Sequence, residues 1–238
     1  IMMQHALLSQ SSRPARITTT LERDWSFQPG VKDSAYMKDD DFSDWEKVQI
    51  PHDWAIGQPF IADGDGNTGK LQWKGEGWYR RILNIPAEFD GKRIYLLFDG
   101  VMAFPEVYVN GQLAGQWDYG YNSFYLDITE FVDPGNKDVL AVDVDTRNHD
   151  SRWYPGAGIY RKVQMIVTNP IHVGIWGTYI TTPYIKEHYA DVRIATNIRN
   201  TTDENEEITV RHKILSPKNL QVAESTDNIL LTPLKSKR

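Results

Sequence analysis

The chain has 238 residues, a formal net charge of −6 and no cysteine, and these properties exclude several classes of protein. The acidic balance gives no electrostatic basis for binding nucleic acid or an anionic membrane. The lack of cysteine excludes disulfides and thiolate metal sites, and it fits either the cytoplasm or the bacterial periplasm. Aromatic residues make up 12% of the sequence, and their flat amphipathic rings suit sugar faces as well as cores. A neutral partner is therefore expected.

The N-terminal segment, residues 1–20, is expected to be a tail outside the fold. It begins IMMQHALLSQSSRPAR, which lacks the basic start of an intact signal peptide and has only a short apolar patch. No stretch of the sequence reaches the roughly 18 to 20 apolar residues needed to span a bilayer, which indicates a soluble protein.

From Trp25 onward the sequence consists of short β-rich runs between Gly, Pro, Asn and Asp breaks, with almost no helical periodicity. Within one run, Asn110-Gly111 predicts a tight type I′ hairpin. In another, the aspartates of 138–146 are expected to face water. Regularly spaced strands of this kind predict an all-β sandwich or barrel. The strands are expected within residues 77–86, 92–101, 105–117, 122–129, 138–146 and 159–168.

A domain boundary is expected near Asn169-Pro170, because proline cannot continue a central strand. Three further β runs follow, at 173–185, 190–200 and 206–217, and the last residues offer only one more short apolar run. Three strands are too few to close a sandwich. The sequence therefore predicts a domain over 21–169 and an incomplete one over 170–238.

The segment DGDGNTGK, residues 63–70, matches parts of three binding loops. A dinucleotide loop or a P-loop needs a helix after it, and here an aromatic, β-like stretch follows, with Leu71 in place of the hydroxyl that would hold magnesium. A calcium loop needs Gly and Glu where this chain has Thr68 and Lys74. The segment is interpreted as a mobile glycine-rich flap.

His52 and Asp53, in the sequence PHDW, resemble a catalytic acid–base pair, but a structural role is expected for both. Adjacent strand residues point to opposite faces, so the pair could not form a relay. The other histidines show no paired spacing, which argues against a metal site. They are His5, His149, His172, His188 and His212.

Four motifs stand in an order that resembles a known family. They are VQIPHDWAI (48–56), GEGWYRR (75–81), LFDGVMAFPEVYVNGQLAG (97–115) and NHDSRWYPGAGIYRKV (148–163). Together they are similar to the N-terminal sugar-binding domain of family 2 glycoside hydrolases, the β-galactosidase and β-glucuronidase relatives. The similarity runs from about Leu21 to Thr168.

The resemblance implies a jelly-roll, galactose-binding-like β-sandwich, then an immunoglobulin-like β-sandwich, then a catalytic TIM barrel. A barrel needs about 250 residues of alternating strands and helices, which this sequence cannot supply. The two catalytic glutamates of the family belong to that barrel, so no catalytic residue is expected here. The resemblance also implies no cofactor within this chain, a sodium or magnesium ion in the complete enzyme, and a possible homo-oligomer.

The resemblance places the candidate sugar contacts in two segments. Asp150 lies where relatives carry an acidic residue that binds sugar hydroxyls, although strict spacing would put Arg152 there. Trp153 or Tyr154 could stack on a sugar face. Lys74 and Glu76 lie in the second segment, where some relatives carry asparagine. The flap at 63–70 would then lie beside the sugar pocket.

Three functions follow from these expectations and remain open. The chain could be the non-catalytic N-terminal part of a retaining, β-galactosidase-like enzyme that acts on a β-galactoside or related glycoside. It could instead be a stand-alone carbohydrate-binding module, or a structural module that braces the barrel. The sequence does not distinguish galactose from glucuronic acid or mannose.

Overall fold

The computed structural model describes residues 14–234, which form fourteen β-strands and three short 3₁₀ turns. The chain divides into two compact units. The first holds the described residues up to Asp90 together with Ile94–Val167, and the second holds Gly91–Arg93 and the residues from Thr168 onward. No helix within residues 14–234 is long and apolar enough to cross a membrane. The all-β fold class expected from the sequence is confirmed.

The first unit is a sandwich of two sheets. Its strands are β1 (Arg16–Thr20), β2 (Trp25–Pro29), β3 (Glu46–Val48), β4 (Glu76–Asn84), β5 (Arg93–Phe98), β6 (Glu106–Val109), β7 (Gln112–Gln116), β8 (Phe124–Asp127), β9 (Lys137–Asp145) and β10 (Val163–Thr168). One sheet has the order β1-β10-β5-β8 and the other β3-β2-β4-β9-β6-β7. Apolar side chains from both sheets pack into one continuous core between them, as the alternation of strand residues requires.

The expectation that residues 1–20 form a tail outside the fold is wrong for Arg16–Thr20. These residues form an edge strand beside β10. Leu21 continues this contact by donating its backbone N–H to the carbonyl of Val163 at 2.8 Å. Residues 1–13, including His5, lie outside the described residues.

The β6–β7 hairpin turns at Asn110 and Gly111, whose φ angles of 51° and 82° are those of the expected type I′ turn. Asn110 has a second role, because its side chain donates to Asp138 at 2.7 Å and accepts from the backbone of Val139 at 3.0 Å. Asp138 also accepts from the backbone of Asp133 at 3.1 Å.

The expectation that the aspartates of 138–146 face water is wrong. Asp138 is fully buried and Asp143 is mostly buried. Asp138 is the second residue of β9 and lies on the core side of the sheet, where the donors just described satisfy its carboxylate. Asp143 lies on the opposite face, opposite Trp78 on β4 and Glu106 on β6. Neighbouring strands therefore cover a face that the sequence alone assigned to solvent.

The second unit contains two antiparallel hairpins, β11 (Ile171–Ile185) with β12 (Ala190–Asn200) and β13 (Glu206–Leu215) with β14 (Gln221–Leu231). β14 is a full strand of 11 residues, although the sequence suggested only a short apolar run there. Thr196 and His212 join the hairpins through a 2.8 Å hydrogen bond. Alternate residues of β13 are partly buried, whereas nearly all residues of β14 are exposed.

Candidate functional site

The two segments that carry the candidate sugar contacts meet at the ends of β4 and β9. These strands are antiparallel neighbours that pair Glu76 with Asp145, so the residues before β4 lie beside those after β9. Thr146 fastens the two segments together. Its buried hydroxyl donates to the carbonyl of Trp73 at 2.8 Å and accepts from the backbone N–H of Gly75 at 2.9 Å.

Lys74 and Asp150 form an ion pair at this junction, with Nζ 2.9 Å from Oδ1. The Asp150 side chain is 96% exposed and that of Lys74 is 48% exposed. The hydrogen bond from Lys74 and its positive charge lower the pKa of Asp150 below its usual value, so the carboxylate is ionised at neutral pH. The structure thus brings together one candidate from each segment, with both polar ends open to solvent.

Trp153 extends the junction as an exposed aromatic surface. Its indole Nε1 donates to the hydroxyl of Tyr121 at 2.7 Å, and 58% of the residue is exposed. Tyr119 packs edge-on against Tyr121, with ring centroids 5.6 Å apart. Arg152 lies next to Trp153 with its side chain exposed. The tyrosines were missed in the sequence, although the aromatic loop 117–121, WDYGY, signals them.

Glu76 lies outside this exposed group. Only 7% of its side chain is accessible, its Oε1 accepts from the indole of Trp78 at 3.3 Å, and its Oε2 lies 2.6 Å from the guanidinium of Arg147. The strand pleat puts Glu76 on the outer face of the six-stranded sheet together with Trp78. Its carboxylate is thus held by protein partners rather than presented to a ligand.

His52 and Asp53 bind different partners. His52 Nδ1 lies 2.7 Å from the hydroxyl of Tyr79, while both oxygens of Asp53 accept from the hydroxyl of Tyr154, at 2.6 and 2.7 Å. Burial lowers the pKa of His52, which keeps the imidazole neutral at neutral pH. Residues 52 and 53 lie in an irregular segment rather than on a strand, but the structural role expected for them agrees with these contacts. Trp54 is half-buried and stacks on Phe27.

The flap at 63–70 forms a compact turn. Asp65 caps a single 3₁₀ turn, Gly66–Thr68, by accepting from the backbone of Asn67 at 2.9 Å, and Thr68 is buried. Lys70 donates to the carbonyl of Ala62 at 2.7 Å. No helix follows the glycines, so the backbone amides and dipole of a phosphate-binding loop are missing here.

Among residues 14–234, no group of three or more His, Asp or Glu side chains is placed to hold a metal ion.

A family model for the sugar-binding domain of family 2 glycosyl hydrolases matches residues 61–170. A β-galactosidase of Bacteroides ovatus is 38% identical over 222 residues, which are 92% of this chain and 26% of that protein. The chain belongs to glycoside hydrolase family 2. Its fold agrees, because a family 2 member from Bacteroides cellulosilyticus superposes with a TM-score of 0.85 at 32% identity, covering 90% of this chain and 28% of that one.

Other family 2 relatives carry different names. A putative β-glucuronidase of Formosa agariphila is 36% identical over 77% of this chain and 18% of its own length. A calcium-binding mutant of Bacteroides uniformis β-glucuronidase 2 gives a TM-score of 0.82 at 27% identity, covering 92% of this chain and 26% of that one. The chain thus spans about a quarter of the length of the family members it matches.

Proposed function

We propose that this chain is the N-terminal, sugar-contacting part of a retaining glycoside hydrolase of the β-galactosidase type. The observation that carries the proposal is the exposed Lys74–Asp150 pair, which joins the two segments in which family 2 relatives are expected to contact sugar. The matched sugar-binding family model supports a carbohydrate ligand. A β-galactoside or a related glycoside is the proposed substrate of the complete enzyme, because relatives named β-galactosidase and β-glucuronidase both match.

The chemistry of the pair suits a sugar edge. Ionised Asp150 can accept hydrogen bonds from two adjacent hydroxyls, and the ammonium of Lys74 can donate to a third oxygen. Trp153 offers an exposed ring that Tyr121 fixes in orientation, and Arg152 adds a guanidinium that donates only. We assign Glu76 no direct contact, because its carboxylate is held by Arg147 and Trp78.

The catalytic chemistry of the complete enzyme requires residues other than those described. Retaining hydrolysis uses two carboxyl groups about 5 to 5.5 Å apart, one as acid/base and one as nucleophile. Residues 14–234 contain no α-helix and so contain no (β/α)₈ barrel to carry them. We propose that a TIM barrel supplies both glutamates, and that this chain alone does not hydrolyse glycosides.

The two units have proposed counterparts in the family. Residues 21–169 would form the jelly-roll sugar-binding domain and residues 170–238 part of the immunoglobulin-like domain. The partners proposed for the complete enzyme are its own barrel and a second copy of the protein. A sodium or magnesium ion is proposed there too, with ligands outside the residues described here.

A stand-alone carbohydrate-binding or structural module is the alternative function. Trp153, three residues after Asp150, and Tyr119, which packs on the Tyr121 that binds Trp153, are both exposed. They favour carbohydrate binding, because exposed rings next to polar groups suit stacking on sugars.

Asp150→Ala in the complete enzyme tests the main proposal. Loss of a charged hydrogen-bond acceptor should lower kcat/KM for 4-nitrophenyl β-D-galactopyranoside about ten- to a hundredfold. The matched control is Asp203→Ala, which removes an exposed aspartate of the β12–β13 turn and should leave kcat/KM unchanged. An unchanged kcat/KM for Asp150→Ala would leave only the structural role, and glycoside turnover by the purified chain would contradict the assignment of catalysis to a barrel.

A further inference from the structure

A concave surface of the first unit adjoins the Lys74–Asp150 pair. It is a cleft of about 600 Å³ between the end of β2 and the segments 52–58 and 72–74, and we call it the Trp54 cleft. This volume lies within the roughly 300 to 1,000 Å³ typical of small-molecule sites. Lys74 lines one part of the cleft, so this residue belongs both to the cleft and to the candidate sugar contacts.

One side of the Trp54 cleft is a fixed aromatic surface. Trp54 stacks on Phe27 with ring centroids 5.7 Å apart and an interplanar angle of 16°. Gly77 permits this packing, because a Cβ there would lie 2.6 Å from the ring of Phe27 and 3.1 Å from that of Trp54. Phe27 in turn packs on Tyr79 at 4.8 Å. Trp54 is only half-buried, so it presents part of a ring that its neighbours hold in place.

Three uncharged polar side chains, those of Gln58, Gln72 and His52, also line the cleft. Gln58 and Gln72 are exposed, and their side-chain amides make no hydrogen bond to any other part of residues 14–234. Each amide offers two N–H donors and one acceptor oxygen. His52 adds a neutral imidazole, whose Nδ1 is already bonded to Tyr79. A ligand rich in hydroxyl groups matches these donors and acceptors.

The charges around the Trp54 cleft favour a neutral ligand. Two carboxylates line it, those of Glu46 and Asp53, while its cation, Lys74, is paired with Asp150. An anionic sugar such as a uronate would therefore meet net negative charge, and like charges repel.

We propose that the Trp54 cleft binds one uncharged pyranose unit of a glycan, with its apolar face on Trp54 and its hydroxyls on Gln58 and Gln72. This second sugar subsite would continue from the Lys74–Asp150 pair. The inference rests on the proposed function in one respect, namely that the cleft continues from a first sugar subsite at the Lys74–Asp150 pair. The sugar-binding role of the cleft itself is inferred from the residues that line it.

Chemical-shift mapping on the isotope-labelled chain tests the assignment, because indole and glutamine amide protons report directly on both surfaces. The probes are lactose as a neutral disaccharide, methyl β-D-galactopyranoside as a single sugar, and methyl β-D-glucuronide as an anion. We expect millimolar lactose to shift the Trp54 indole and the Gln58 and Gln72 side-chain amides in a saturable manner. The glucuronide should shift these signals less.

Two small changes on the exposed rim make the test specific. The variant Gln58→Ala/Gln72→Ala should weaken lactose binding at the cleft about five- to tenfold, from the loss of two neutral hydrogen bonds. Gln112→Ala on β7 is the matched control, since it removes an exposed glutamine outside the cleft and should not change the affinity. Unchanged shifts of the other amides would show that the variants are folded.

The outcomes separate the cleft from the proposed function. Shifts confined to the Trp153 indole would overturn the assignment of the Trp54 cleft as a sugar subsite. They would still agree with the sugar contacts proposed around Lys74 and Asp150. If no sugar shifts the Trp54, Gln58 and Gln72 signals, the assignment of the cleft as a sugar subsite is also overturned. A protein segment would then be the remaining occupant. Glucuronide binding as tight as lactose binding would overturn the neutral-sugar assignment.

Discussion

Ionised Asp143 should destabilise the fold, and Asp143→Asn should remove that cost. Its side chain lies on the outer face of the six-stranded sheet, among the carboxylates of Glu76, Glu106 and Asp145. Its Oδ1 is buried and accepts no hydrogen bond from any residue within 14–234. Burial, and then the charges of the three neighbours, raise the pKa of Asp143 to about 7, whereas Arg147 pairs with Glu76 and Asp145.

The size and sign of the effect follow from linkage. A rise in pKa from 3.8 to about 7 gives an upper limit of about 4 kcal/mol at 1.36 kcal/mol per unit. Because the carboxyl is partly exposed, solvent screening reduces this to about 2 kcal/mol. The folded state holds more protons than the unfolded state between these pH values, so stability falls as pH rises from about 4 to 7. The cost of Asp143 is absent below pH 4 and complete above pH 7.

Urea unfolding followed by tryptophan fluorescence between pH 4 and 8 measures this effect, because seven of the eight tryptophans lie in the first unit. Asp143→Asn should be about 2 kcal/mol more stable than the parent at pH 8 and nearly equal to it at pH 4.

Asp145→Asn is the matched control. Hydrogen bonds from Arg147 lower the pKa of Asp145, so its removal should destabilise the protein at pH 8. The reasoning about Asp143 is refuted if Asp143→Asn keeps the parent's pH dependence of stability.

Two further substitutions test buried contacts of the first unit. Arg80→Ala removes a fully buried guanidinium that donates to the carbonyl of Met37 at 2.8 Å and pairs with Asp40 at 3.3 Å. It should cost about 3 kcal/mol in urea unfolding and speed hydrogen exchange in residues 31–45, and a loss below about 1 kcal/mol would contradict this. Gly158→Ala puts a Cβ against the hydroxyl of Tyr79 at a φ of 124°, so we expect a loss of about 2 kcal/mol or more. An unchanged melting temperature would show that Tyr79 moves aside without cost.

The strand pattern was predictable because it depends on neighbours in sequence. Residues 190–200 form β12 with the bounds expected, and Asn110-Gly111 sets its hairpin from local backbone preferences alone. The family was also predictable, since its motifs are short and ordered.

The contacts between side chains that are distant in the sequence were harder to predict from the sequence. Lys74 and Asp150 are 76 residues apart, and their contact depends on β4 and β9 being neighbours in the sheet. Trp153 was a candidate from its motif, but its partner Tyr121 comes from a loop outside the four family motifs.

Alternation along the sequence thus determined that this protein is built of strands, and its motifs determined the family. The tertiary structure decided which charges are buried, because burial depends on the strands and loops that cover each face. Glu76 was a candidate contact by its place in the sequence, yet the pleat and Arg147 hold its carboxylate on the protein. Asp150, with the same functional group, remains open to solvent in the turn segment that follows β9.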